Sequence, residues 1–191
     1  DRIDLVSPSH PVTQLWPPSN GSGSGNPEGL AYDSVGRLFA NLGVRGVSTD
    51  PPKKYVAQLD PSTGAILNQT PCPPGGGAPC LPSLDGLTYD SFTHMLYAAS
   101  TFGKTVYQIN PINLSVVDLG QTYNWNSQFG FDGITSDGLG HLFVVSGDHH
   151  IYDINLINFT LTQGDFISTG LDDLAPASGL GAPPKGVPAP F

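Results

Sequence analysis

LDGLTYDSFTHMLYAASTFGKTVYQINPINLSVVDLG, residues 84–120, holds four short apolar segments separated by turn signals. Residues 87–89 precede an Asp-Ser-Phe-Thr turn, and 95–99 precede Thr-Phe-Gly-Lys. Residues 106–109 lead into Asn-Pro-Ile-Asn, and a last segment covers 116–119. Apolar runs of this length, bounded by Gly, Pro, Asn and Asp, read as antiparallel strands in a meander.

The unit recurs. FDGITSDGLGHLFVVSGDHHIYDINLINFTLTQG starts at Phe131, and PEGLAYDSVGRLFANLG with KKYVAQLDPSTGAILNQT fills 27–70 around a longer middle. Glu28-Gly29-Leu30, Asp85-Gly86-Leu87 and Asp132-Gly133-Ile134 correspond. So, on this alignment, do Arg37-Leu38-Phe39, His94-Met95-Leu96 and His141-Leu142-Phe143. A four-strand unit repeating at about 40 to 50 residues is the signature of propeller blades.

The two ends complete the count. RIDLVSPSHPVTQLW, residues 2–16, matches the third and fourth strands of a blade, and Leu171-Asp172-Asp173-Leu174 matches a first strand. The expectation is an all-β, small propeller of three whole four-stranded blades. A fourth blade is shared by the N- and C-terminal strands, closed within one chain or between subunits. In linear order, 1–16 supply strands of the shared blade, 17–26 a flexible linker, 27–175 the propeller blades and 176–191 a Pro/Gly-rich tail.

Only 12% of residues are charged, and the 24 Gly and 19 Pro suit a chain that turns every few residues. With a net charge of −9 and seven scattered Lys and Arg, no basic stripe exists to neutralise phosphates. Nucleic-acid and anionic-membrane partners are therefore disfavoured. No apolar run is long enough for a membrane span. A start at Asp1, with the one Met at 95, leads to the expectation of a processed product or fragment that has lost a signal peptide. Cys72 and Cys80 flank PPGGGAP and are expected to form a disulfide, which fits a secreted, extracellular or cell-surface protein.

Asn-X-Ser/Thr sequons stand at Asn20, Asn68, Asn113 and Asn158, the last two at the same turn of successive blades. Exposed turns are where a glycoprotein carries its glycans. Glu28, Asp85, Asp132 and Asp172 (or Asp173) open the first strands, which are innermost in a propeller. Their carboxylates are candidates to ring one channel mouth and hold Ca2+. The competing reading is that these residues start strands and cap backbone N–H groups. No other cofactor is expected. Tyr123 and Trp125 are candidates for a sugar-stacking platform, against inter-blade packing. His94 and His141 read as surface-turn residues, His10 as another turn residue, and the adjacent His149 and His150 as rings pointing apart. No nucleophile elbow, P-loop, zincin or dinucleotide fingerprint occurs, so the expectation is a protein without catalytic activity.

PEGLAYDSVGRLFA, with its echoes DGLTYDSFTHMLYA and DGITSDGLGHLFVV, resembles the repeats of NHL-like and gluconolactonase-like propellers. LDDLAP at 171–176 and VPAP at 187–190 are similar to motifs of secreted bacterial propeller proteins of the PEP-CTERM class. The resemblance lies at the level of blade repeats and implies architecture. The chain departs from the lactonase pattern in having too few blades and no full metal-ligand set.

The functional expectation is an extracellular structural protein, a self-assembling surface or filament subunit joined by strand complementation, and hence a homo-oligomer or homopolymer. The alternative is a secreted glycan- or Ca2+-binding module. A lactonase-like enzyme is a third reading.

Overall fold

The structure, a computed structural model, describes residues 28–43, 53–72, 80–125, 129–167 and 174. The expected strands in 1–16, the 17–26 linker, Leu171 to Asp173 and the 176–191 tail lie outside the described residues.

Three antiparallel meanders account for most of what is described. Blade one consists of β1 (Leu30–Tyr32), β2 (Leu38–Gly43), β3 (Lys53–Leu59) and β4 (Ile66–Gln69). The short β5 (Leu81–Pro82) pairs with the start of β3 and leads into blade two. Blade two runs through β6 (Leu84–Asp90), β7 (Met95–Ser100), β8 (Thr105–Ile109) and β9 (Val116–Asp118). A five-residue helix, α1 (Leu119–Tyr123), follows, with the Asp118 carboxylate accepting from the N–H of Gln121. Blade three is β10 (Phe131–Ser136), β11 (His141–Ser146), β12 (His150–Asn155) and β13 (Thr160–Phe166).

Registers repeat across blades. Leu38 pairs with Leu59, Leu96 with Ile109 and Leu142 with Ile154. Leu38, Leu96 and Leu142 are therefore equivalent, which corrects the expected alignment by one residue. The β6–β7 turn of blade two carries an extra residue, so Met95, and not His94, stands where the other blades have Arg37 and His141. His94 takes up the addition in a left-handed conformation with φ 58°.

The turns are built by side chains as well as backbone. Asp33 Oδ1 accepts from the N–H of Val35 and Arg37, and Asp137 Oδ1 from the N–H of Leu139 and His141. Between the third and fourth strands, Oδ1 of Asp60, Asn110 and Asn155 each accepts from the N–H groups two and three residues on. These Asx turns explain why Asp or Asn recurs there.

The first strands β1, β6 and β10 lie side by side. A Cβ at Gly29 would sit 2.7 Å from the backbone nitrogen of Leu87, and one at Gly86 would sit 2.9 Å from that of Ile134. The Glu/Asp-Gly pair is thus a packing requirement: glycine stands where the next inner strand arrives at backbone distance. In blades two and three the same dipeptide lies in a register shift, between Leu84 and Leu87 and between Phe131 and Ile134.

Apolar side chains fill the gaps between blades. Phe39 and Val56 pack with Leu84, Leu87, Leu96 and Ile109 between blades one and two. Tyr97 and Val106 pack with Phe131, Ile134 and Leu142 between blades two and three. A third buried cluster of Leu38, Ala40, Leu42, Ala57 and Leu59 lies on the face of blade one turned away from blade two. Asp90, fully buried, ties the second gap: it accepts from the hydroxyl of Ser136 at 2.6 Å and from the N–H and hydroxyl of Thr93 at 2.7 Å.

Gly86→Ala is expected to cost about 1–3 kcal/mol, because neither backbone in the contact can give way. Gly147→Ala, whose Cβ would meet open space, should stay within about 0.5 kcal/mol of wild type. Urea unfolding of the two variants checks the contrast.

Candidate functional site

The acidic residues that open the first strands meet a cation of the protein itself. Strand alternation puts Lys54 on the same face of β3 as Val56, toward blade two, and its side chain is buried. Its ammonium donates to the carbonyl of Leu84 at 2.9 Å, pairs with Glu28 and lies 3.5 Å from Asp85 Oδ1. Burial pulls the Lys54 pKa below its ordinary value, while Asp85 and then Asp132 push it back up. Asn41 braces the same corner: its Oδ1 accepts from the N–H of Glu28 and Gly29, and its Nδ2 donates to the carbonyl of Leu84 at 3.0 Å. Asp85 also caps a neighbour, accepting from the N–H of Thr101 at 3.0 Å.

A metal at this corner would therefore have to displace an ammonium already seated among the carboxylates. Among the described residues no three His, Cys, Asp or Glu gather as a metal site, and Asp172 lies outside them. Lys54 was not among the residues singled out from sequence. The strand pairing reveals a correspondence: three residues before the equivalent positions Ala57, Tyr107 and Tyr152 stand Lys54, Lys104 and His149.

Tyr123 and Trp125 come together, with a third aromatic between blades. Tyr123 stacks on Phe159 with centroids 4.3 Å apart and planes 6° from parallel, and the Trp125 indole N–H donates to the carbonyl of Phe159 at 2.8 Å. Trp125 and Phe159 pack against the cluster between blades two and three. One Tyr123 face is thus committed to Phe159.

Asn113 and Asn158 lie exposed in the β8–β9 and β12–β13 turns, and each Oδ1 accepts from the N–H of its own Ser115 or Thr160. Asn68 is on the exposed strand β4, and Asn20 lies outside the described residues. Cys72 and Cys80 form the expected disulfide, joining the segment after β4 to the start of β5. That bond is compatible with an extracellular protein. No helix of the described residues is long and apolar enough to cross a membrane.

The histidines divide by contact. His141 Nδ1 lies 2.9 Å from Asp153 Oδ1, and this hydrogen bond raises the His141 pKa above its ordinary 6.5. His94 Nδ1 lies 3.1 Å from the hydroxyl of Tyr89. His149 and His150 do not point apart as expected. His149 has φ 64°, which breaks strand alternation, and both rings lie edge-on to Phe166. His10 lies outside the described residues.

No protein-family model matches the sequence, and neither does any curated protein. Solved structures do match in shape. The β-propeller domain of Cps50 (Swd1) from Myceliophteria thermophila superposes with a TM-score of 0.52 at 12% identity, over 78% of this chain and 45% of that one. The fold is a β-propeller. At that identity the likeness is one of fold alone. The nidogen/laminin complex matches at TM-score 0.49 and 21% identity, over 73% of this chain and 46% of that chain. YCF48 bound to D1 peptide matches at 0.46 and 13%, over 73% and 40%. The chain spans less than half the length of each of these three solved chains.

Two expectations follow. Lys54→Met should lower stability by about 1–3 kcal/mol in chelator, through desolvated partners left unpaired, and millimolar Ca2+ should recover part of the loss. Wild type should show no Ca2+-dependent shift in thermal midpoint, and a rise in wild type would mean that a cation does displace Lys54. The second concerns pH. Because the folded-state pKa of His141 is raised, its pairing with Asp153 stabilises the fold fully below pH 6.5, and this is lost as pH rises through the folded value. Asp153→Asn should move the His141 titration down, followed by the imidazole proton shifts in NMR.

Proposed function

We propose that this chain is a structural propeller module of an exported protein, which completes its ring by strand exchange and so assembles with further copies. What supports the reading is a contrast at one register position. Leu87 and Ile134 are 6% and 3% exposed because the preceding inner strand covers them, whereas Leu30, equivalent in blade one, is 41% exposed. Farther out on the same face Leu38, Ala40, Leu42, Ala57 and Leu59 are buried, so the contrast rests on the inner strand. Rings of this class use about four to eight blades, more than the three complete blades described.

Strand donation from 1–16 would satisfy the open backbone edge of a shared blade. Within one chain it closes a monomer. Between chains it adds subunits head to tail, and a contact that does not close on itself generates a fibre. The disulfide, the sequons and the low charge fit an extracellular setting for such a subunit. The binding alternative keeps one observation in its favour, the half-exposed ring of Tyr123 above Phe159.

Electron microscopy of the purified protein, with a mass measurement in solution, tests the proposal. Regular fibres with one chain per repeat are expected, and deletion of 1–16 should abolish them while leaving the melting transition of the three blades in place. A monodisperse monomer at high concentration would overturn assembly through the seam.

A further inference from the structure

Each blade carries an exposed apolar side chain at the tip of its first turn. Val35, Phe92 and Leu139 stand two residues after Asp33, Asp90 and Asp137, and Ile112 and Ile157 take the same place after Asn110 and Asn155. These five are between 53 and 76% exposed. In a meander the first and third turns lie at the same end, so all five tips crown one face of the disc, opposite the face bearing Glu28, Asp85 and Lys54. Single exposed apolar residues are ordinary, but their recurrence at a fixed turn position, where polar residues are the norm, is not.

The first turns that carry Val35, Phe92 and Leu139 are held to the neighbouring blades. The hydroxyls of Ser34 and Tyr89 lie 3.0 Å apart across the first blade boundary. Ser91 Oγ donates to the carbonyl of Gly138 at 3.3 Å across the second. The Phe92 ring lies over Gly140, where a Cβ would be only 3.1 Å from it. Charges on this face are occupied internally: Asp33 pairs with Arg37, Asp153 with His141, and Asp60 and Asp137 cap their own turns.

We propose that this crown docks a second copy of the chain, face to face. The same face of another copy presents apolar tips at the same blade-to-blade spacing, so a twofold axis sets one array against the other. Five tips exposing on the order of 100 Å² each bring about 1,000 Å² into a pair, the size at which a specific interface begins. The contact is separate from the strand seam and does not depend on it. Asn113 and Asn158 adjoin two of the tips, so stacking requires both to be free of glycan.

The test is sedimentation of the full chain across a concentration series, with peptide mass spectrometry confirming that Asn113 and Asn158 are unmodified. The comparison is with a variant carrying Val35→Ser, Phe92→Ser and Leu139→Ser, exposed positions whose replacement leaves the blade cores intact. Wild type should reach twice the monomer mass reversibly, and the variant should self-associate at least about tenfold more weakly. Equal masses for the two proteins would overturn the proposal. So would a monomeric wild type that binds phosphatidylcholine vesicles through the same three residues, since the crown would then face lipid. If wild type forms fibres, crown-to-crown contacts in the micrographs support the proposal and fibres lacking them overturn it. Deleting 1–16 should remove seam assembly and leave the crown dimer, which separates failure of one from failure of the other.

Discussion

One close approach governs this molecule: the backbone of each inner strand lies against the glycine of the strand before it. Gly29 meets Leu87, and Gly86 meets Ile134, at distances no Cβ would tolerate. With inner strands this close, blades are forced to splay outward like wedges, and the space between them widens with radius. That geometry explains where side-chain volume goes. Small Ala31 and Ala98 lie in the first gap together with the larger Phe39, Tyr107 and Leu114. Among the described residues no inner strand precedes β1, and Leu30 is left half-exposed there.

The second constraint is polar and local. Closing a strand pair in a few residues strands N–H groups that have no ladder partner, and in this chain short carboxylate and amide side chains take them up. The Asp or Asn at each turn therefore survives exchange between the two residue types, as Asp60, Asn110 and Asn155 illustrate, because only the acceptor oxygen matters. Positive-φ residues close the third turns: glycine at Gly64, but Leu114 and Phe159 in the later blades. There the side chain packs into an inter-blade cluster, or against one, so burial offsets the cost of the left-handed backbone.

The four-stranded unit, its strand order and the disulfide were legible because each has a short-range signature. The alternation of residues, the turn dipeptides and the cysteine spacing are all visible within about ten positions. Features set by the ring were not. The extra residue in the β6–β7 turn shifts Met95 and His94 by one, and no local pattern distinguishes Asp-Ser-Val-Gly-Arg from Asp-Ser-Phe-Thr-His-Met. α1 follows a strand so short that Leu119 reads as its last residue. At the candidate site, the carboxylates were visible because they repeat along the chain. Lys54 was hidden because it reaches them from a different strand, and a residue list along inner strands cannot show what the third strand inserts. The same holds for Phe159, whose stacking under Tyr123 joins positions that share no motif.

The Cys72–Cys80 bond has a mechanical consequence. A pull transmitted along the chain from blade one to blade two passes through the two sulfurs and bypasses residues 73–79, which cannot be paid out as slack. Because β5 is hydrogen-bonded to β3 just beyond Cys80, on the side of β3 that also carries β4, the load is passed to the third strand of blade one before it reaches β6. Tension is thereby shared between β3 and β4 and does not fall on β4 alone.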